Sequence, residues 1–452
     1  MNKKKLKTIA LSFLLLCGFN GNAQDKWPVT LNLQECLQYA LQNSYEIHKS
    51  KFDAGESEAA HNEAKSGLLP QISGSASMTN NIKLPAMLMP GDFFGMPGEY
   101  IGVEMGAKYN AVAGIDLEQV IFDAGLFTGI KMSKNARELA SLKEKMSQEE
   151  LIYHIGNTFY DIMYSQNFLK NNIKTLTIMD SIYRKMELQV AQNITREIDL
   201  NRMKVNISNM KVEIQKTHAL LSQQMNYLKV LMGMPLEYDF RLSGNMELSP
   251  MEHVSFSNTA NNLSEKTELR ILHNEKTTTE LGIKQLKQTY IPTLSFFAST
   301  GYNFENEKLT LSDSKFWSNG TAFGVRLSVP VFDGRTKHHK IRQSQFQLRK
   351  IEEDIKQQQQ TLQSDLQNAR RQLQISFQSA GAQQENMGVA EKSYKQGVML
   401  YEGGLYSITD LLDTEKSFRE AQSAYVYELS NYHKSILELK KSEGTLNTLL
   451  NQ

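Results

Sequence analysis

Residues 291–304, Ile291-Pro292-Thr293-Leu294-Ser295-Phe296-Phe297-Ala298-Ser299-Thr300-Gly301-Tyr302-Asn303-Phe304, read as a strand announced by a proline. Leu294, Phe296, Ala298, Tyr302 and Phe304 fall on one side and Thr293, Ser295, Ser299 and Asn303 on the other, the period of two of an extended chain with one apolar face. The opening of this stretch occurs twice. Leu69-Pro70-Gln71-Ile72-Ser73 stands 222 positions before Ile291-Pro292-Thr293-Leu294-Ser295. Val120-Ile121-Phe122-Asp123 returns 210 positions later as Pro330-Val331-Phe332-Asp333, and Ile198-Asp199-Leu200 returns 211 positions later as Thr409-Asp410-Leu411. Three matches in one order imply a duplicated unit of about 210 residues, far longer than a solenoid repeat. Each unit reads helix, proline-marked strand, loop, strand ending in Phe-Asp, then a long helical region.

Three further segments alternate: 71–78, with Ile72, Gly74, Ala76 and Met78 on one side; 109–118, with Tyr109, Ala111, Ala113, Ile115 and Leu117; and 321–328, with Thr321, Phe323, Val325 and Leu327. With their flanks, strands are expected at about 70–80, 109–122, 290–304 and 319–332. Each approaches the ~9–11 residues that cross a bilayer. Tyr109, Phe122, Tyr290, Tyr302, Phe304, Phe316, Trp317 and Phe332 gather at the ends, as in an aromatic girdle. A half-buried soluble sheet has the same period; the aromatic ends and the export signal described below favour the membrane.

The rest is helical. The nine prolines leave Gly98 to Met234 and everything after Pro330 free of helix breakers. Ile155, Ile162, Leu169, Leu176, Tyr183 and Val190 repeat every seven residues, as do Ile341, Leu348, Ile355, Leu362 and Ala369, and Leu411, Phe418, Tyr425, Tyr432, Leu439 and Leu446. Sustained sevens predict coiled-coil packing. Residues 124–192 and 334–402 would each span about 100 Å at ~1.5 Å per residue. Asn193-Ile194-Thr195 and Glu402-Gly403-Gly404-Leu405 then turn each run back into a hairpin. Gly233, Pro235, Gly244 and Pro250 place a connector at 233–262, between a first unit of 24–232 and a second of 263–452.

Composition sets the outer limits. A mean hydropathy of −0.44 excludes repeated apolar helices through a membrane, but not a β-barrel, whose alternating strands average out. Lys3, Lys4, Lys5 and Lys7, the apolar run Ile9 to Phe19 and Gly21-Asn22-Ala23 make residues 1–23 a cleavable export signal. Lipidation of Cys17 is the rival reading, disfavoured by the bulky Leu16 before it. The mature chain would hold 46 basic and 49 acidic residues, a net −3 with no nucleic-acid footprint. Cys36 would then be its one cysteine, read as a small buried apolar residue.

Four strands cannot close a barrel, and an open edge in lipid costs several kcal/mol per unpaired backbone group. Known barrels begin at about eight strands, so the chain must share one: eight from two copies, or twelve, with room for a bore, from three.

Over the whole mature chain the sequence resembles the TolC-like outer membrane efflux protein family. The resemblance rests on Leu33-Gln34-Glu35-Cys36-Leu37-Gln38-Tyr39-Ala40-Leu41-Gln42-Asn43, the Leu69-Pro70 and Ile291-Pro292 strand starts, the two Phe-Asp pairs and Tyr401 to Asp413. It implies a mainly α fold with membrane β: four strands per chain in a shared 12-stranded barrel, continuous with a barrel of helical hairpins, in a homotrimer set in outer-membrane lipid. Such a duct works with a periplasmic adaptor (membrane fusion) protein and an inner-membrane transporter. The family's periplasmic gate maps onto Tyr401, Gly404, Asp410 and Asp413. Asp410 and Asp413 match tunnel-facing carboxylates, which threefold symmetry would gather into a cation-attracting constriction; an acid opening a helix also suits its dipole. Where the family can carry an arginine that locks the gate, this chain has Tyr406, which leaves Asp199 without that partner. Arg196, Arg202 or an aromatic constriction at Tyr406 are the substitutes in reach.

No phosphate loop, His-Glu-x-x-His or Gly-x-Ser-x-Gly motif occurs, so neither catalysis nor a cofactor is expected. His338-His339 and the loop methionines Met87, Met89, Met96 and Met105 do not have metal-site spacing. The competing class is a soluble periplasmic coiled-coil adaptor or scaffold, which would carry one hairpin between β-rich modules. Cargo and pump are not written in the chain.

Overall fold

The computed structural model describes residues 30–244, 246–248 and 263–451. The expected export signal with Cys17, and residues 245 and 249–262 of the expected connector, lie outside the described residues. The described residues open with β1 (Thr30–Leu31), α1 (Leu33–Asn43), α2 (Tyr45–Ser66) and β2 (Gln71–Asn80). A short hairpin of β3 (Ala86–Pro90) and β4 (Tyr100–Glu104) precedes β5 (Tyr109–Phe122). α3 (Ala124–Ala191) and α4 (Glu197–Met232) form the first helical hairpin, and β6 (Arg241–Leu242) pairs in parallel with β1. Then come α5 (Thr267–Gln288), β7 (Thr293–Asn306), β8 (Trp317–Ser328), and the second hairpin, α6 (Thr336–Glu402) and α7 (Ile408–Glu443).

The four long strands form one antiparallel sheet in the order β2-β5-β7-β8, with β2 and β8 as its edges. Ile72, Ile115, Phe323, Val325 and Leu327 cover one face and are all more than half exposed. Two strand ends differ from the sequence expectation. β7 starts at Thr293 rather than 290, because the Tyr290 and Ile291 N–H groups still donate to Lys287 and Gln288 in a last helical turn. β8 stops at Ser328 rather than 332: Pro330 has no N–H for a ladder. Val120, its counterpart in the first unit, permits β5 to continue to Phe122 through a bulge. The region 80–108, expected as a loop, contains the β3–β4 hairpin, which its prolines and glycines concealed.

Each strand-to-helix passage is fixed by the aspartate of a Phe-Asp pair. Asp123 accepts from the Leu126 N–H at 3.1 Å, and Asp333 accepts from the Arg335 and Lys337 N–H groups at 3.1 and 3.0 Å. α3 and α6 are 68 and 67 residues long, while α4 and α7 are 36 each and α2 and α5 are 22 each. α4 therefore accompanies only the turn-proximal part of α3. Its strand-proximal part is flanked by α2 and α5, through Arg137–Glu58 and Asn135–Asn274 contacts.

The waist of the molecule is its largest core. Cys36, Leu37 and Ala40 of α1 are fully buried against Ile155, Ile162, Leu228, Met232 and Leu437, and burial pushes the Cys36 thiol up to about 12. The Leu33–Asn43 stretch is thus a docking helix, started by a reciprocal Asn32–Glu35 capping box and tied to the C-terminus by Gln34 donating to the Leu450 carbonyl. The heptad reading holds for Ile155, Ile162 and Leu169, which are buried. Beyond them, Leu176, Tyr183 and Val190 are half-buried, and Met179, Ile182 and Met186 take the core. A helix of 3.6 residues per turn drifts about 20° per strict heptad, so the buried row changes along its length.

α4 and α7 end alike, on Gly233 (φ 70°) and Gly444 (φ 74°), with Met234 and Thr445 N–H groups reaching back to Lys229 and Lys440 at 2.8 Å. Their surroundings differ. A Cβ at Gly233 would sit 2.2 Å from the Asn43 carbonyl oxygen, whereas at Gly444 it would meet only the Lys266 side chain at 3.9 Å. Gly444→Ala is expected to cost the left-handed penalty of about 1 kcal/mol. Gly233→Ala should cost at least ~2 kcal/mol more, since it also forces apart the α1–α2 junction. Denaturant melts of the two variants in detergent check this, and equal losses would refute it.

Candidate functional site

The sites expected from the sequence lie where the two helical hairpins turn. Asn193 (φ 58°) and Gly404 (φ 73°) supply the left-handed residue of the two turns. The Ile194 and Leu405 N–H groups close the wraps on Gln189 and Leu400, both at 2.9 Å. The turns are seated together on one apolar cluster, in which Met179, Met186, Met203 and Met210 pack with Ile182, Ile207, Tyr394, Ile408 and Leu411. Polar ties cross over it. Lys185 pairs with Glu402 at 2.6 Å, Arg202 donates to Thr409 Oγ1 at 2.9 Å, and Arg419 pairs with Glu213 at 3.1 Å.

Asp199, Tyr401 and Tyr406 belong to this seam. Asp199 is buried and does have partners: Arg196 Nε at 2.9 Å and, more loosely, Arg202 at 3.8 Å. The second of these arginines also reaches Thr409, so it joins Asp199 to the other hairpin. Tyr401 is half-buried at the edge of the cluster, and burial together with the nearby Asp199 charge raises its hydroxyl pKa. Tyr406 is half-buried beside Gly397, where an added Cβ would lie 3.7 Å from its ring.

Asp410, Asp413 and Gly404 are exposed instead. Asp410 is the third residue of a capping box, its carboxylate accepting from the Ser407 hydroxyl at 2.6 Å and N–H at 3.2 Å. Asp413, three residues on, occupies the same helix flank. Asp199 holds the corresponding place after Arg196 in the first hairpin, but there the carboxylate is turned into the seam.

Two features escaped sequence reading. Glu415 is buried with its carboxylate 3.3 Å from Arg419 Nε. Phe297 lies on the polar side of β7, with the Arg326 guanidinium 5.0 Å from its ring centre, one strand away. The first had no local signal, since Glu415 and Arg419 look like an ordinary exposed i,i+4 pair. The second was visible as the one aromatic among Ser295, Ser299 and Asn303. Among the described residues no group of three His, Cys, Asp or Glu side chains is arranged to hold a metal ion. His338 and His339 meet edge to face with centroids 5.4 Å apart.

Burial holds the Glu415 pKa above the usual carboxylate range despite Arg419. A folded-state pKa above the unfolded one means stability falls as pH rises through the folded value. Glu415→Gln should therefore raise the melting temperature more at pH 7.5 than at pH 4.5. A larger gain at pH 4.5 would show that attraction to Arg419 dominates over burial.

Comparison with known proteins agrees with this architecture. The family described as "Outer membrane efflux protein" matches residues 267–445. Outer membrane protein TolC of Salmonella enteritidis is 22% identical over 473 residues, spanning 99% of this chain and 87% of that protein. The probable efflux pump outer membrane protein TtgC of Pseudomonas putida is 19% identical over 427 residues, spanning 91% and 82%. The CmeC outer membrane channel of Campylobacter jejuni shares the fold, with a TM-score of 0.74, 16% identity and coverage of 91% and 85%. Two hairpins with a four-stranded sheet, rather than one hairpin between β-rich modules, set the chain apart from a soluble adaptor. Residues 267–445 match the outer membrane efflux protein family, nearly the whole chain is similar to TolC, and the protein is an outer-membrane exit channel for efflux.

Proposed function

We propose that three copies, each exported by a signal at residues 1–23, close a 12-stranded outer-membrane barrel over a periplasmic barrel of hairpins. The carrying observation is the sheet: an apolar face more than half exposed at Phe323, Val325 and Leu327, ending in unpaired edges at β2 and β8. In lipid those edges must pair, and β8 of one copy with β2 of the next is the pairing that repeats around a ring. The units 24–232 and 263–452, joined by the connector 233–262, are two copies of one ancestral segment. Their matching helix lengths and the 211-residue offset from Asn193 to Gly404 support this.

The duct is passive, and the driving force comes from an inner-membrane transporter reached through a periplasmic adaptor that grips the hairpins. The hairpin turns form the periplasmic gate. Asp199, Arg196 and Arg202, with Tyr401 and Tyr406 beside them, hold the two hairpins of one copy together. Gly404 shapes the turn that presents Asp410 and Asp413 to the bore as rings of three. The cap on Asp410 fixes its carboxylate at the helix start, which keeps the ring in register.

Planar-bilayer recordings test the gate. The native trimer should prefer cations, and Asp410→Asn with Asp413→Asn, which preserves the cap, should lose most of that preference. Selectivity unchanged by the double substitution would leave these acids as capping residues only.

A further inference from the structure

α5 packs on the strand-proximal part of α3 along a seven-residue ladder. Asn135 and Asn274 exchange side-chain and backbone hydrogen bonds of 2.9–3.2 Å. One end is marked by Thr128 donating to Gln288, the other by Thr267 donating to Glu149 at 3.2 Å. The matching rows in the duplicated unit are bare. On α6, His339, Phe346 and Gln360, each 211 residues beyond Thr128, Asn135 and Glu149, are exposed. On α2, Tyr45, Phe52 and Ser66, each 222 residues before Thr267, Asn274 and Gln288, are exposed as well. Phe52 and Phe346 are 77% and 57% exposed, and Tyr45, one row from Phe52 on α2, is 66% exposed.

We propose that α2 of one copy packs on α6 of the next in the geometry α5 adopts on α3, with Phe52 of one chain against Phe346 of the other. The proposal rests on the trimer above and identifies the side chains of its helical seam. Where the chain joins its own halves with an asparagine pair, it joins its neighbours with an aromatic pair. Tyr45 then meets Gln360, and Ser66 meets His339.

Charge supports this occupant. From Gly334 to Ile351 the chain carries Arg335, Lys337, Lys340, Arg342, Arg349 and Lys350 and no acid. Arg342 and Arg349 flank the Phe346 ring at 5.8 and 5.9 Å. α2 carries Glu46, Asp53, Glu56, Glu58 and Glu63 against Lys49, Lys51 and Lys65, an acidic excess, and Glu63 lies one row on from Phe52, where Lys340 would stand as Gly129 stands to Gln285. The same basic run facing itself would repel, so the surface suits a head-to-tail ring and not a twofold dimer.

Oxidative crosslinking of the full chain tests the seam, with Cys36 left in place because it is buried. Phe52→Cys with Phe346→Cys should give dimer and trimer bands on non-reducing gels, and neither single variant should. Ser66→Cys with His339→Cys keeps both aromatic rings and should give the same ladder. Asn62→Cys with His339→Cys, off the row, should not. Native mass spectrometry of the reduced proteins reports the oligomer independently. A trimer in which neither on-row pair crosslinks overturns the seam and leaves the trimer standing; a monomer overturns both.

Discussion

An extended strand in hydrocarbon has no water to satisfy its backbone, and this requirement governs the molecule. The sheet has two edges and a face that only lipid would cover. Soluble proteins blunt exposed edges with lysine, proline or a short strand. β2 and β8, 10 and 12 residues long, contain neither lysine nor proline. Their edges are free to be paired, and in the proposed trimer the pairing comes from other copies of the chain. The long helices are started at the Phe-Asp junctions, whose aspartates accept from N–H groups two to four residues on.

At the far end the same residue types serve two purposes, separated by burial. Asp199 and Asp410 follow their helix starts at the same distance, yet one is turned into the seam between hairpins and the other outward. The inward carboxylate is paired with Arg196 and Arg202, and among the described residues the outward one accepts from Ser407 alone. A buried charge without partners would be expensive, whereas an exposed one costs little. In the proposed gate the first acid holds the hairpins together and the second is left to face the bore. The methionine-rich cluster beneath would suit the proposed gate, since unbranched thioethers repack with little strain.

The four strands, both hairpins and the turn positions were legible in the sequence, because period two, sevens and glycine placement are local signals. The end of β8 was not, although Pro330 was in view; the Phe-Asp repeat suggested a strand end where the proline had already stopped the ladder. The shift of the buried row to Met179 and Met186 was hidden because the helix exchanges neighbours along its length. Asp199's arginines were named as candidates, but which of them also reaches Thr409 depends on how two hairpins separated by some two hundred residues come together. Glu415 illustrates the general obstacle: an i,i+4 Glu–Arg pair looks solvated until a second hairpin covers it.

The asymmetry between the inner and outer helix contacts has a thermodynamic basis. α5 reaches α3 on the same chain, so its effective concentration is set by the tether and a polar Asn135–Asn274 contact suffices. The proposed contact between copies has no tether and must also offset lost rigid-body freedom. Aromatic burial flanked by complementary charge can supply that, at positions where the tethered contact uses amides. If the two units descend from one, as proposed, they began with matching surfaces, and the divergence of Asn135 from Phe346 and of Asn274 from Phe52 would keep the two contacts distinct. An amide ladder facing an aromatic one would bury unpaired polar groups. In the proposed ring each helix is thereby steered to its own partner, which fixes a single order of closure.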